Sequence, residues 1–206
     1  MIRGTRILLG EEADRFINIT NTLRCICKES DYMEFVPSAL AEQEVFVNKA
    51  GPEIMNQMYS FKDKKDRSIC LIPEVTAVVQ QLYKEYWSKS MPKPVKLFYV
   101  ARCYRYERPQ LGRYREFWQF GVENMGGDTS KEEMIALLAR CLAELSISFQ
   151  INDSVKRGLD YYVEDGFEAE VETLGAQKQV AGGGRYDCGI GWAIGVDRIM
   201  LALENK

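Results

Sequence analysis

The sequence of 206 residues contains no histidine, and that single absence removes several chemistries. A Ser-His-Asp or Cys-His nucleophilic site, an imidazole general base and a histidine-ligated zinc are all excluded. The six cysteines, Cys25, Cys27, Cys70, Cys103, Cys141 and Cys188, form no C-x-x-C pair and stand mostly among apolar neighbours. That pattern is expected of reduced, buried thiols in a cytoplasmic protein, not of a redox or metal site. No apolar run approaches the ~18 residues of a membrane span, and Met1 to Gly10 has neither a signal nor a transit composition, so no membrane partner is expected. Charge of one sign is also missing. Lys and Arg number 27 against 30 Asp and Glu, a net charge of -3, so there is no global basic field and any nucleic-acid contact has to be local. Arginine, carboxylates and tyrosine are left to carry the chemistry.

What is present fits one domain spanning residues 1–206. At 46% hydrophobic the chain can bury a core without staples. Phe16, Ile19, Leu23, Ile26 and Cys27 recur at helical spacing and predict a helix from Glu11 to about Lys28. Tyr32 to Val36 reads as a short strand stopped by Pro37, and Gln57–Phe61 with Ser68–Leu71 as a hairpin. Pro73 is expected to open the next helix. Val95–Tyr106 and Glu116–Glu123 are long strands. Lys131–Leu145 is a helix capped by Asp128-Thr-Ser, Tyr161–Val171 is strand, Gly182-Gly-Gly184 a turn, and Gly191–Val196 with Asp197–Leu203 a closing strand and helix. Runs of strands broken by a few helices argue an α+β fold with a mostly antiparallel sheet.

Three constellations carry chemistry. Arg102, Arg105, Arg108, Arg113 and Arg115 crowd two strands and their loop, interleaved with Tyr104, Tyr106, Tyr114, Phe117, Trp118 and Phe120. Guanidinium forks suit phosphate oxygens, and a ring among them can stack on a base. A charged hairpin that only confers solubility would not need the rings. The second constellation, Lys156-Arg-Gly-Leu-Asp-Tyr-Tyr162, joins cations, a carboxylate and two phenols; taken alone, packing is the commoner use of such residues. The third, Ala181-Gly-Gly-Gly-Arg-Tyr-Asp187, allows close backbone approach to a ligand or a plain tight turn. Gly189-Ile-Gly-Trp-Ala-Ile-Gly195 imitates a dinucleotide fingerprint, but its spacing is one residue too long.

Together and in this order, these segments resemble the catalytic domain of the histidyl-tRNA synthetase family, within class II aminoacyl-tRNA synthetases. Tyr104-Arg-Tyr-Glu-Arg-Pro-Gln-Leu-Gly-Arg-Tyr-Arg-Glu-Phe-Trp-Gln119 is similar to class II motif 2 in its histidyl form. Arg157-Gly-Leu-Asp-Tyr-Tyr162 and Gly183-Gly-Arg-Tyr-Asp187 resemble the two histidine signatures, and Ala193-Ile-Gly-Val-Asp-Arg198 matches motif 3. Ile2-Arg-Gly-Thr5, Leu71-Ile-Pro-Glu-Val-Thr76 and Pro37 (in motif 1) extend the likeness along the chain.

The resemblance implies an antiparallel sheet flanked by helices, dimeric through the motif 1 region, that converts histidine and ATP with Mg²⁺ into histidyl-adenylate and transfers it to the acceptor stem of tRNA. It gives Arg105 and Arg198 the ATP phosphates, Arg113 the outer phosphates, Phe117 the adenine ring, and Glu107 the adenine or the metal-bound phosphates. Glu74 and Thr76 would hold the amino group, Gln119 the carboxylate side, and Glu123, Tyr162 and Tyr186 the imidazole nitrogens. Arg157 would touch the reacting carboxylate and α-phosphate, with Arg105 and Arg157 as the catalytic pair. No metal-ligating side-chain cluster is implied. Two other functions are compatible with such a site: a regulatory histidine sensor without catalysis, and an adenylating enzyme with an acceptor other than tRNA.

The sequence also departs from the family. Its usual small domain before the Arg157 signature is replaced by about ten residues, and the pattern that continues beyond motif 3 into an anticodon-binding domain stops at Lys206. Ile72 stands for a usual Arg, Trp118 for a common His and Asp197 for a Glu, and the loop Cys188–Gly191 is short.

Overall fold

A computed structural model describes residues 2–47, 51–156 and 158–204. Its chief element is a sheet of seven strands: β1 (Met33–Glu34), β5 (Val95–Tyr104), β6 (Glu116–Met125), β10 (Gly189–Gly195), β9 (Gln179–Tyr186), β8 (Gly166–Glu170) and β7 (Gln150–Val155), in that spatial order. Every pairing is antiparallel except the edge contact of β1 with β5. A smaller sheet has the order β2 (Leu40–Glu42), β4 (Ser68–Leu71), β3 (Ser60–Lys62). The described chain also has seven α-helices, α1 (Glu11–Glu29), α2 (Glu44–Val47), α3 (Gly51–Gln57), α4 (Thr76–Leu82), α5 (Ser88–Ser90), α6 (Lys131–Glu144) and α7 (Val196–Glu204), with a π-helical stretch at Tyr83–Trp87 and a 3-10 stretch at Glu172–Gln177. The α+β fold class follows, with an antiparallel sheet flanked by helices. Among the described residues, no helix is long and apolar enough to cross a membrane.

The two faces of the large sheet do different work, and the period of two along each strand decides which residue serves which face. Phe98, Phe120, Val122, Ile190, Trp192, Ile194 and Phe167 face one way and pack against α1, α6 and α7 in a single buried cluster. Leu97, Tyr99, Cys103 and Met125 face the other way, toward Phe46, Ile72, Val75 and Val79. The amphipathic stripe of α1, with Ile19, Leu23, Ile26 and Cys27 buried, covers the first face. α6 is set by a complete capping box, in which the Ser130 hydroxyl accepts from the Glu133 N–H and the Glu133 carboxylate accepts from the Ser130 N–H.

Several expectations are corrected. Pro73 does not open α4, which begins at Thr76; instead the Glu74 carboxylate accepts from the Ala77 N–H at 2.9 Å and so serves the helix start. That helix continues as a π-helical stretch over Tyr83–Trp87 into α5. Gly182 to Gly184 is not a turn but the middle of β9. The reason is steric: a Cβ on Gly183 would lie 2.3 Å from the Gly191 carbonyl and 2.5 Å from the Trp192 Cβ. Tyr161 to Asp165 lies outside the strands, which resume at Gly166. The long strand predicted to Tyr106 ends at Tyr104, so Arg105, Glu107, Arg113 and Arg115 all belong to the connection between β5 and β6. Cys25 is exposed and Cys188 half-buried, while the other four cysteines are buried; all six are free thiols.

The space around Gly183 and Gly158 differs sharply. Gly183→Ala forces the Gly191 backbone to move and is expected to destabilise by about 2 kcal/mol or more, whereas Gly158→Ala, with nothing within 4 Å of the added carbon, is expected to stay within about 0.5 kcal/mol. Urea denaturation midpoints check this, and equal midpoints for the two variants would refute it.

Candidate active site

The second face of the sheet opens into a cleft of about 430 Å³. Odd-numbered residues of β6 point into it or beneath it, and across the ladder they meet small residues: Gly195 pairs with Gln119, Ala193 with Gly121 and Gly191 with Glu123. Gly182 and Gly184 of β9 continue the row opposite Ala193 and Gly191. The cleft opens over Gly182, Ala193 and Gly195, while Tyr99, Glu123 and Tyr162 fill the space that side chains at Gly121, Gly191 and Gly184 would take.

Glu123 stands at the bottom with no solvent exposure. The Thr76 hydroxyl donates to its Oε1 at 2.6 Å and the Tyr186 phenol to its Oε2. A Cβ on Gly191 would lie 1.9 Å from Oε2, so glycine is required where this carboxylate sits. Burial pushes the Glu123 carboxyl up to about 8; the hydrogen bonds from Thr76 and Tyr186 oppose that rise and the charge of Glu74 adds to it. Glu74, also buried, is raised by burial as well, against the Ala77 N–H bond and the Arg105 charge. The Tyr161 phenol donates to Glu74 Oε2 at 3.3 Å. Burial holds the Tyr99, Tyr161 and Tyr186 phenols above their ordinary range, so they remain donors. The rings of Tyr161 and Tyr162 lie 4.6 Å apart, and Tyr161 meets Tyr186 edge-on at 6.0 Å.

The other end of the cleft is cationic. Arg105 donates from Nε to the Pro73 carbonyl at 2.8 Å, and its guanidinium lies 5.3 Å from the centre of the Phe117 ring. Arg113 pairs with Glu107, whose backbone carbonyl accepts from Arg115 Nε at 3.0 Å. Arg198, in the first turn of α7, donates to the Gly112 carbonyl at 3.1 Å and the Gln179 carbonyl at 2.5 Å. Burial lowers the pKa of Arg198 from its ordinary value, and the nearby charges of Arg113 and Arg105 lower it further. Arg105 and Arg198, held by backbone carbonyls, and Arg113, held by the Glu107 carboxylate, bring three guanidinium groups to one end of the cleft, where they form a site for an anion.

Of the residues the sequence singled out, Glu74, Thr76, Arg105, Glu107, Arg113, Phe117, Gln119, Tyr162 and Arg198 line this one cleft. Glu123 and Tyr186 lie under its floor, reached through Thr76. Arg157 lies outside the described residues. Arg102 points away from the cleft, pairing with Glu116 at 2.9 Å and stacking over Trp118. The sequence reading assigned no role to Tyr161, nor to Glu168 and Gln179, which line the cleft and hydrogen-bond each other at 2.9 Å. Nor did it single out Cys103, whose thiol donates to Gln119 Oε1 at 3.3 Å. Tyr161 had a signal, its place beside Tyr162; Glu168 and Gln179 had none, because only the pairing of β8 with β9 brings them together.

Comparison with known sequences now bears on this geometry. The family profile described as Histidyl-tRNA synthetase matches residues 4–151. The chain belongs to the histidyl-tRNA synthetase family. A protein of Archaeoglobus fulgidus named histidine–tRNA ligase is 30% identical, over 97% of this chain and 75% of its own length. That match runs over 307 aligned positions, more than the 206 residues available here, so the relative carries a long segment with no counterpart in this chain. The family profile stops inside β7, ahead of the short connection that leads to Tyr161 and Tyr162. Among solved structures, the apo histidyl-tRNA synthetase of S. aureus superposes with a TM-score of 0.84 at 27% identity, over 100% of this chain and 70% of that one. A Bacillus halodurans protein titled an ATP phosphoribosyltransferase regulatory subunit/histidyl-tRNA synthetase shares the fold, with a TM-score of 0.84 at 18% identity over 97% of this chain and 82% of that one.

The raised Glu123 carboxyl yields a prediction with a definite sign. The folded chain holds a proton there that the unfolded chain, with an ordinary value of 4.5, releases. Stability from that proton is complete below about pH 4.5 and is lost as pH rises through about 8, by at most about 1.4 kcal/mol per pH unit. Wild type should therefore lose stability relative to Glu123→Gln between pH 5 and 8.5. Urea midpoints of the two chains that run parallel over that range would contradict this.

Proposed function

We propose that this chain activates histidine with ATP to form histidyl-adenylate, and that it hands the aminoacyl group to the acceptor end of tRNA. The observation that carries this reading is the division of one cleft into two ends: Glu74, Thr76, Gln119 and Tyr162 over the buried Glu123–Tyr186 pair, and Arg105, Arg113 and Arg198 around Phe117. The first end offers carboxylates to the ammonium group of an amino acid and a carboxylate with phenols to an imidazole. A pocket that pairs both ring nitrogens rejects analogues lacking them, because its own buried polar groups would be left unpaired. The second end offers always-charged donors to phosphates and a ring to a base.

Activation joins an oxygen of the histidine carboxylate to the α-phosphorus and breaks the bond from that phosphorus to the bridging oxygen, which leaves with pyrophosphate. Negative charge from both reactants gathers at the reacting centre. Arg105 stands between the two ends, fixed by the Pro73 carbonyl beside Glu74 and by the Phe117 ring, and is assigned to that charge together with Arg157. Arg113 and Arg198 take the outgoing phosphates. Mg²⁺, entering on the nucleotide, would neutralise charge on the pyrophosphate. In the second step a tRNA hydroxyl attacks the aminoacyl carbonyl and AMP departs.

A histidine-sensing regulatory role is the second reading, favoured by the shared fold of the Bacillus halodurans protein. The retention of Arg105, Arg113 and Arg198 in one cleft favours catalysis. An acceptor other than tRNA remains the third reading, consistent with the segment present in the Archaeoglobus relative and absent here.

Histidine-dependent exchange between ATP and pyrophosphate decides between activation and sensing, and transfer of labelled histidine to tRNA decides the acceptor. Exchange is expected with histidine and with no other amino acid, and Arg105→Ala should lower it by about 100-fold or more while circular dichroism shows a folded chain. Wild-type exchange in that variant would remove Arg105 from the mechanism. Histidine binding without exchange in the wild type would select the sensor.

A further inference from the structure

Arg6 stands in the N-terminal segment ahead of α1, and nothing above gives it a role. Its Nε donates to Asp197 Oδ1 at 3.0 Å, and its Nη2 donates to the same oxygen at shorter range. The guanidinium lies 4.9 Å from the centre of the Tyr114 ring and 3.5 Å from the Met200 sulfur. Asp197 itself is nearly inaccessible, at 5% exposure. Its second oxygen, Oδ2, accepts from the Trp118 backbone N–H at 2.6 Å.

The consequences follow from what flanks Asp197 and Trp118. Trp118 lies between Phe117 and Gln119, which both line the cleft. Asp197 is followed by Arg198, whose guanidinium reaches the carbonyls of Gly112 and Gln179. One carboxylate thus ties the cleft end of β6 to the first turn of α7, and Arg6 is the cation that allows that carboxylate to be buried. The same segment also grips the β5–β6 connection. The Arg115 N–H donates to the Gly4 carbonyl at 2.8 Å, and a Cβ on Gly4 would lie 2.8 Å from Pro109 and 2.9 Å from Arg115.

We propose that Arg6 is a positioning residue for the nucleotide end of the cleft, acting through Asp197 to hold Phe117 and Arg198 in place for ATP. This rests on the reading of that end as the ATP site. The two carboxylates at the far end, Glu74 and Glu123, are held by Ala77, Tyr161, Thr76 and Tyr186, none of which Arg6 touches. Loss of Arg6 should therefore separate the two substrates.

The experiment is calorimetric titration of ATP and of histidine, each into wild type, Arg6→Met, Arg6→Lys, Asp197→Asn and the double variant Arg6→Met/Asp197→Asn. Arg6→Met should weaken ATP at least tenfold and leave histidine within about twofold. Arg6→Lys, which restores the charge without the paired donors, should fall between Arg6→Met and wild type even where Arg6→Met folds poorly. The double variant should bind ATP no worse than Arg6→Met, because the buried charge is gone. Unchanged ATP affinity in a folded Arg6→Met, equal losses for ATP and histidine, or strictly additive losses in the double variant would each overturn the proposal. Wild type that binds histidine but not ATP would overturn the ATP reading itself, a distinct result.

Discussion

The buried carboxylate of Glu123 is the interaction on which the rest of the cleft depends. An ionised group with no access to water is costly to hold, and the surrounding residues are arranged around that cost. Thr76 and Tyr186 each give it a hydrogen bond, Gly191 leaves the space it occupies, and it still lies high enough on the pH scale to keep its proton near neutrality. Glu74, a second buried carboxylate, is close enough to raise it further. The two acids are not paired with each other, and the charge of Arg105 acts to keep Glu74 ionised. Such a floor is best stabilised by a ligand that brings a cation and ring N–H groups with it.

At the opposite end the sign reverses. Arg198 is disfavoured as a cation by burial and by Arg113 and Arg105, yet backbone carbonyls hold its guanidinium in place. Mutual repulsion among fixed cations is electrostatic preorganisation for an anion, because the donors need not reorganise when charge arrives. Arg105 links the two ends: its Nε is anchored at Pro73, one residue from Glu74, and its charge faces Phe117.

Much of this was legible in the sequence, for identifiable reasons. The helices α1 and α6 announced themselves by apolar spacing and by a capping box, and β5 and β6 by their length and aromatic content. The candidate residues of the cleft came from segments matched in order, and nine of them meet at one surface. What misled was glycine. Gly182 to Gly184 reads locally as a turn, because the reason for Gly183 and Gly184 lies in Trp192, Phe167 and Tyr162, which pack where their Cβ atoms would stand. The alternation of Gly189-Ile-Gly-Trp-Ala-Ile-Gly195 is likewise not a nucleotide fingerprint but a strand with a bulky face toward the core and a bare face toward the cleft. Pro73 looked like a helix start because its fixed φ suits one, but Glu74 is drawn into the cleft and α4 begins after it. The ties of Arg6 to Asp197 and of Glu168 to Gln179 span distances in the chain or the sheet that no local pattern encodes.

The central claim is that the cleft floor is built for a ligand carrying both an ammonium group and an imidazole. Titration calorimetry of L-histidine into the chain at pH 7.5, with L-leucine and L-glutamine as comparisons, tests it most directly. The account predicts one saturable site for histidine and no measurable heat of binding for the other two. Leucine or glutamine bound as tightly as histidine, or no binding of histidine at all, would contradict it.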